Sequence, residues 1–597
     1  MVVSIRCFAS LNHRAIFSDS IQKTHYNNII MKRLFILLSL FLFSTFIYSQ
    51  VLNDSQIIEG KHWLYDYFDI LSGETCTGNF TSNTPVTVGE LRNHFKEYDR
   101  EELSEAGKAI YDKVEAFLFT EKNLFPGKIF QAGLGFVTAP ELCYKSNDQI
   151  DWTYNYYYKN NFLSLQTDVG IADYFCMGGN YFLGKNYYYS TKANNLTNIP
   201  LGFDQYEFQF PRFAYGSLGY TGESWGVNLN VGKEGLTIGN TRTGSIIYNG
   251  TFETDCYVQL SAYSDDVKYT MNVAEVNPEK FIYLHQFDVR LFKKITIGAL
   301  EGALVNKSFE LRFLNPMMVF HSFAFWKDFV EEDSLEDHYY NEGYCCSYLG
   351  LTFEVNPVKY LRIYGLYAMN EVQLPNEHHG KWLSYPDSMG GQLGAELNIP
   401  SDFGGYWKGG FEAVYCSPFL YIKQAPGWSL YKARKDNVTW DTVNSWIGSP
   451  FGPDTFALDA SFAYEQPERW SAGFEYLLCF KGENGFNLFG EDWYNEQSWN
   501  GKTGDVWTYY PYAKYMIADD ADDEEGRGRA VDEGRNMWMS GVCQTKHQIG
   551  IEGSYNVTNK FTLQSQIIYS FVINARHITG NFQHGVQAAL SAEYKFF

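Results

Sequence analysis

Long apolar runs are nearly absent from this 597-residue chain, and residues 34–48 (LFILLSLFLFSTFIY) form the only one. A bundle of membrane-spanning helices, each needing about 20 apolar residues, is therefore excluded. The run follows Met31, Lys32 and Arg33 and leads to the small Ser49 before Gln50. A basic start, a short apolar core and a small residue at the cut make 31–49 a secretory signal, a retained anchor being the alternative. Residues 1–30 are then expected to be an artefact of an upstream start. No Cys stands at the cut, so a lipoprotein anchor is not indicated.

A cysteine framework is also lacking. The ten cysteines are scattered, include the adjacent Cys345 and Cys346, and contain no C-x-x-C pair. Such spacing offers neither a disulfide scaffold nor a zinc ribbon, and these residues are expected to act as small apolar fillers. Basic charge is short: 47 Lys and Arg against 69 Asp and Glu give a net −22. Nucleic acid is excluded as a partner, because a phosphate backbone requires clustered cations. With only 17 prolines and 19% charged residues, the composition is not that of a disordered chain.

Aromatics are plentiful. Tyr 46, Phe 47 and Trp 14 make up 18% of the chain, and such rings suit membrane–water interfaces or sugar-stacking surfaces. A mean hydropathy of −0.30 fits a soluble protein. It equally fits a transmembrane barrel, in which only alternate residues meet lipid.

The C-terminal stretch 584–597 (HGVQAALSAEYKFF) sharpens the choice. Val586, Ala588, Leu590, Ala592, Tyr594 and Phe596 are apolar, while Gln587, Ser591, Glu593 and Lys595 fall between them. Side chains alternate across a strand, so one face is apolar and the other mostly polar. That is the closing strand of a barrel or the edge of a soluble sandwich. The terminal aromatic resembles the signal by which outer-membrane proteins engage the barrel-assembly machinery, although the register puts Phe596 rather than Phe597 on the apolar face.

Residues 50–127 read as a helical periplasmic segment. Leu64, Tyr67, Phe68 and Leu71 recur at helical spacing, as do Ala106, Ile110, Val114, Phe117 and Leu118. Thr87 with Glu90, and Asp99 with Glu102, resemble capping boxes at two helix starts. The helices form either a small bundle or an arm packed on a rim. From 128 to 597 the period becomes two. Trp225, Val227, Leu229 and Val231 alternate with polar or small residues, as do Trp470, Ala472, Phe474 and Tyr476, and Phe561, Leu563, Ile567 and Tyr569. About 470 residues of this kind predict roughly 16–18 antiparallel strands of an all-β transmembrane barrel in the outer membrane.

Gly222-Glu-Ser224-Trp-Gly226 matches the letters of a nucleophile elbow, but Trp225 opens a strand where that motif needs a helix. A glycine-rich turn is expected. The acidic run 519–533 has Glu525 and Val531 where a calcium loop starting at Asp520 needs Gly and Glu. His378 and His379 lack further ligands at zinc spacing. No metal, cofactor or catalytic site is therefore expected, and the chain reads as non-enzymatic. Residues 419–456 gather Tyr421, Trp428, Tyr431, Trp440 and Trp446 among charged residues including Asp454. This is either a sugar-binding surface, with Tyr421, Trp428, Trp440, Trp446 and Asp454 as polysaccharide contacts, or an interfacial aromatic girdle.

Three segments together resemble the capsule-assembly Wzi family of outer-membrane barrels. The stretch 227–249 carries Gly239, Gly244 and Ser245 of a strand–turn–strand motif, with Ile238, Asn240 and Thr241 replacing the family's Trp, Pro and second Gly. Glu301 and the later Leu314-Asn315-Pro316 resemble a second segment, the last three being equally readable as a strand end, where Pro is tolerated. Pro450-Phe-Gly452-Pro453-Asp454 and Lys481-Gly-Glu483 resemble the later strands. The resemblance implies a barrel that holds capsular or exopolysaccharide at the cell surface, its lumen plugged or narrowed by inward polar side chains and loops. A porin-like diffusion channel in contact with outer-membrane lipid is the alternative.

Overall fold

The computed structural model describes residues 53–120, 129–150, 161–184, 197–200, 207–250, 255–306, 308–316, 345–372, 387–422, 429–435, 442–483 and 539–596. The signal segment, His378, His379, Trp428, Trp440 and the acidic run 519–533 lie outside them.

Eighteen antiparallel strands close into one barrel. The first, β1, is Phe130–Thr138 continued by Glu141–Lys145, split at Pro140, which has no N–H to give the ladder. Then come β2 Leu163–Ile171, β3 Phe175–Gly184, β4 Glu207–Thr221, β5 Trp225–Glu234 and β6 Asp255–Ser264. Next are β7 Val267–Asn277, β8 Lys280–Leu291, β9 Ile295–Val305, β10 Cys345–Val358, β11 Leu361–Glu371 and β12 Ser388–Ser401. The last six are β13 Gly405–Cys416, β14 Thr455–Gln466, β15 Trp470–Lys481, β16 Gln544–Thr558, β17 Phe561–Ile573 and β18 Gln583–Lys595. Closure pairs β18 with β1, Tyr594 opposite Thr138 and Leu590 opposite Leu142.

Alternation decides the faces as the sequence predicts. On β5, Trp225, Val227, Leu229 and Val231 are exposed while Asn228 and Asn230 are buried inside. On β18, Leu590 and Tyr594 face out and Gln587 and Ser591 face in. An apolar outer wall with a polar inner wall is the arrangement a lipid bilayer demands of a barrel, whose closed ladder leaves no backbone group unpaired. No described helix is long and apolar enough to cross a membrane. Rings collect at the short-turn end of the outer wall: Tyr174, Tyr220, Trp225, Phe292, Phe403, Trp407 and Trp470 are exposed there. Long connections gather at the opposite end, which makes that end extracellular.

Among the described residues, three helices precede the barrel: α1 Trp63–Thr75, α2 Val88–Phe95 and α3 Glu105–Phe119. Thr87 caps α2 by accepting from the Glu90 N–H, as the spacing predicts. Asp99 instead caps a single 3-10 turn, Arg100–Glu102, and α3 starts at Ser104, whose hydroxyl accepts from the Gly107 N–H. Glu74 of α1 fixes that start by accepting from both the N–H and the hydroxyl of Ser104. Leu64, Phe68, Leu71, Ile110, Val114 and Leu118 pack together as the core of this bundle.

The bundle is seated across the short turns. Ser55 donates to the Tyr174 carbonyl at 2.9 Å, Asn93 to that of Gly222 at 3.1 Å, and Gly78 to that of Lys293 at 2.8 Å. Gly73 accepts from the Tyr360 N–H at 2.7 Å. Spanning turn after turn, the helices form a floor under the periplasmic mouth.

Candidate functional site: the filled lumen and the extracellular mouth

The connection between β5 and β6 does not stay outside. It turns back into the lumen, where Thr237 and Ile238 pair with Thr84 and Asn83 rising from the floor. Two glycines make the path possible. Gly239 and Gly244 have φ of 102° and 101°, a region L side chains rarely adopt. A Cβ on Gly244 would stand 2.6 Å from Asn249 and 2.8 Å from Pro450. Directly after the second glycine, Ser245 accepts from the Ile247 N–H at 3.0 Å and donates to the Ile238 carbonyl. The three motif residues thus build a turn inside the barrel.

Beyond that turn the lumen is apolar. Ile246, Ile247 and Tyr248 are fully buried, packed with Tyr348 of β10, Tyr364 and Leu366 of β11 and Val414 of β13. From above come Leu420, Tyr421, Leu430 and Ile447. The expectation was a lumen plugged or narrowed by inward polar side chains and loops. On the flank lined by these residues, the filling is a hydrophobic core. A run of three apolar residues in a loop, Ile246-Ile247-Tyr248, is the signal that could have announced it.

Ion pairs tie this insert to wall and floor. Arg362 of β11 is buried and donates to Glu354 and Glu396, each at 2.7 Å, and to the main-chain carbonyl of Asn240 at 2.7 Å. Asp69 of α1 accepts from Asn240 at 2.8 Å and from Asn79 at 2.6 Å. Burial pushes the Asp69 carboxyl up to about 7, opposed by Arg362 and reinforced by Glu354 and Glu396. Arg242 donates to Asp459 of β14 at 2.8 Å, and its N–H to Glu412 of β13 at 2.9 Å. In the floor, Lys268 of β7 pairs with Glu90, and Arg290 of β8 donates to Glu97 at 2.6 Å. Burial and the Arg290 charge hold the His94 imidazole well below its ordinary pKa, which keeps it neutral.

At the mouth, a hairpin of Tyr431–Lys435 with Thr442–Trp446 lies over the core. Lys432 pins it by donating to Asp255 of β6 at 2.5 Å, both side chains fully buried. The segments resembling later family strands meet here: Lys481 donates to the carbonyls of Phe451 at 2.6 Å and Pro453 at 2.5 Å. Asp454 accepts from the Ser540 N–H and hydroxyl, and the Gly482 N–H donates to the Asp454 carbonyl at 2.8 Å.

The residues singled out for polysaccharide contact therefore divide. Tyr421 is completely buried, its hydroxyl used by the Ile246 carbonyl and the Ser449 N–H, and Asp454 is completely buried as the knot joining two connections. Both are buried among protein groups, so the expected open sugar-contact surface is not where these two side chains lie. Trp446 remains partly exposed, stacked on Tyr421 at 6.1 Å and 23°. Glu301 sits on the outer wall of β9 opposite His285. Asn315 and Pro316 are exposed and follow a 3-10 turn, Leu311–Leu314, rather than a strand, because β9 has already ended at Val305. Ser224 lies in the hairpin turn between β4 and β5, where the Gly222 N–H donates to the Trp225 carbonyl at 2.7 Å.

These features define a class: a β-barrel of the outer-membrane type with an insert folded into its lumen and a helical periplasmic floor. No protein-family model matches the sequence, and no curated protein matches it. Among solved structures, the chain is similar to Wzi of Escherichia coli, described as an outer-membrane protein involved in group 1 capsule assembly and a carbohydrate-binding β-barrel. That likeness has a TM-score of 0.53 at 10% identity and covers 90% of this chain and 98% of the other. OprD of Pseudomonas aeruginosa follows with a TM-score of 0.37, 10% identity and coverage of 78% and 94%. OccAB4 of Acinetobacter baumannii gives 0.36, 10%, 78% and 98%. The resemblance read from the sequence thus holds at the level of the fold.

Proposed function

We propose that this chain is a non-enzymatic outer-membrane barrel that holds surface polysaccharide at its extracellular mouth, and is not a diffusion channel. The observation that carries the reading is the buried core of Ile246, Ile247, Tyr248, Tyr348 and Tyr421 inside the barrel. Open transport requires water along the lumen, and here apolar side chains pack inside it along one flank, the insert that carries them tied to the wall through Arg242 and Asp459 and through Arg362 and the Asn240 carbonyl. A rigid plug instead gives the extracellular connections a platform on which weak glycan contacts can be summed over repeating units. The fold-level neighbour described as carbohydrate binding supports the same reading.

Two measurements test it together: single-channel conductance in planar bilayers and binding of the refolded protein to a glycan array. The expected result is negligible steady conductance with retained binding to an extended polysaccharide. A large steady conductance with no glycan binding would establish the porin-like alternative.

A further inference from the structure

Among the described residues, one geometry recurs three times on the lipid-facing wall. In each copy a tyrosine hydroxyl meets the Nδ1 of a histidine on the next strand, one diagonal step away. On β7 and β8, Tyr269 and His285 are 2.6 Å apart. On β15 and β16, Tyr476 and His547 are 2.8 Å apart. On β17 and β18, Tyr569 and His584 are 3.3 Å apart.

The first copy reveals what the arrangement does. Residues 308–316 fold against the outside of the barrel, with Phe313 stacked on Tyr283 at 5.0 Å. The Phe313 carbonyl lies 2.9 Å from Nε2 of His285. A carbonyl only accepts, so Nε2 carries the proton and Nδ1 takes the tyrosine's hydrogen. In this copy the tyrosine therefore fixes the tautomer that turns an N–H donor toward the segment outside the wall.

In the other two copies no chain segment among the described residues covers the histidine. His547, Phe571 and His584 stand side by side in one cross-strand row, His547 opposite Phe571 and Phe571 opposite His584. Phe571 stacks on His547 at 4.4 Å and 14°. The two histidines are two strand spacings apart, about 10 Å. Their faces are the lipid-facing ones, shared with the exposed Ile551, Ile567 and Leu590. The row is at the headgroup level: from His584 to the aromatic Tyr594 near the periplasmic rim is ten residues of β18, which at the usual tilt spans about 25 Å of membrane normal. Just beyond it, the exposed Arg576 adds a cation.

We propose that His547 and His584 form a site for the anionic phosphate-monoester headgroup of an outer-leaflet lipid, each Nε2–H donating to a phosphate oxygen and Phe571 seating the apolar shoulder between them. The site is independent of the polysaccharide reading. Its test uses the full chain refolded in detergent with 15N-labelled histidine, titrated with diphosphorylated lipid A, with the same lipid stripped of its phosphates, and with inorganic phosphate. The expected outcome is that the resonances missing from His547→Gln and His584→Gln spectra move with phosphorylated lipid A alone. Tyr476→Phe with Tyr569→Phe should weaken that binding at least ten-fold, while His285→Gln leaves it unchanged. Equal movement with the stripped lipid or with free phosphate would overturn the proposal. So would unchanged affinity in the double histidine variant while its gel migration remains heat-modifiable.

Discussion

Arg362 donates one N–H of its guanidinium to the main-chain carbonyl of Asn240 at 2.7 Å, and that bond joins the barrel wall to the segment inside it. The same guanidinium pairs with both Glu354 and Glu396, with Asp69 nearby. Truncating one member of a buried ionic cluster leaves uncompensated charge and costs about 3–5 kcal/mol. Arg362→Met should therefore loosen the insert more than it harms the wall, whose ladders do not depend on it. The expected outcome is a lower unfolding midpoint together with new conductance in planar bilayers. A lower midpoint without any conductance would mean that the insert stays in place without this tie.

Asp69 makes the seating of the floor depend on pH. Its folded pKa of about 7 lies above the ordinary carboxyl value of 3.8. Between those values the folded state keeps a proton that the unfolded chain has released, so stability falls as pH rises from about 4 to about 7 and is flat above. The greatest slope for one proton is ~1.4 kcal/mol per pH unit. Arg362, Glu354, Glu396, Asn79 and Asn240 are the groups that face it. Urea midpoints measured at pH 5 and pH 8 should differ in the wild type, lower at pH 8. Asp69→Asn, which keeps an acceptor and loses the charge, should shrink that difference.

How much of this was legible in the sequence follows from how local each signal is. The two-residue period of β5, β15, β17 and β18 fixed which face meets lipid, because alternation is a property of the strand itself. The caps at Thr87 and the stripe Ile110–Val114–Leu118 were equally local. The interior was not. Tyr421 and Asp454 resemble a sugar platform in a linear reading, an aromatic and an acid in a long connection. They are buried because segments distant in sequence, around Ile246 and Ser540, close over them. Likewise Asp99 and Ser104 both offer a capping oxygen, and only the packing of Glu74 against Ser104 decides which one starts α3.

Gly244 is a close point of the lumenal turn, hemmed in by the Pro450 ring. Both its φ of 101° and the nearness of Pro450 oppose any side chain. Gly244→Ala should cost about 1–3 kcal/mol in backbone strain alone. Gly216 on β4 serves as the comparison, since a Cβ there meets nothing within 4 Å. Gly216→Ala should stay within about 0.5 kcal/mol of wild type. Thermal unfolding in detergent, followed by the gel shift on boiling, separates the two. Equal midpoints would show that the insert can take another path through the barrel.

Trp446 and Tyr421 are stacked, yet the structure gives them opposite roles. Trp446 keeps one side toward the mouth, and Tyr421 is sealed beneath it with its hydroxyl bridging Ile246 and Ser449. Removing that hydroxyl from a buried, satisfied position costs about 1–3 kcal/mol through the groups left unpaired. Tyr421→Phe should accordingly lower the unfolding midpoint and leave glycan-array binding unchanged at temperatures where the protein is folded. Trp446→Ala should do the reverse, reducing glycan binding several-fold with a smaller change in midpoint, because a partly exposed ring contributes less to the core than it offers a sugar face. Loss of binding in the tyrosine variant, with the tryptophan variant unaffected, would move the glycan surface away from this hairpin and onto other extracellular connections.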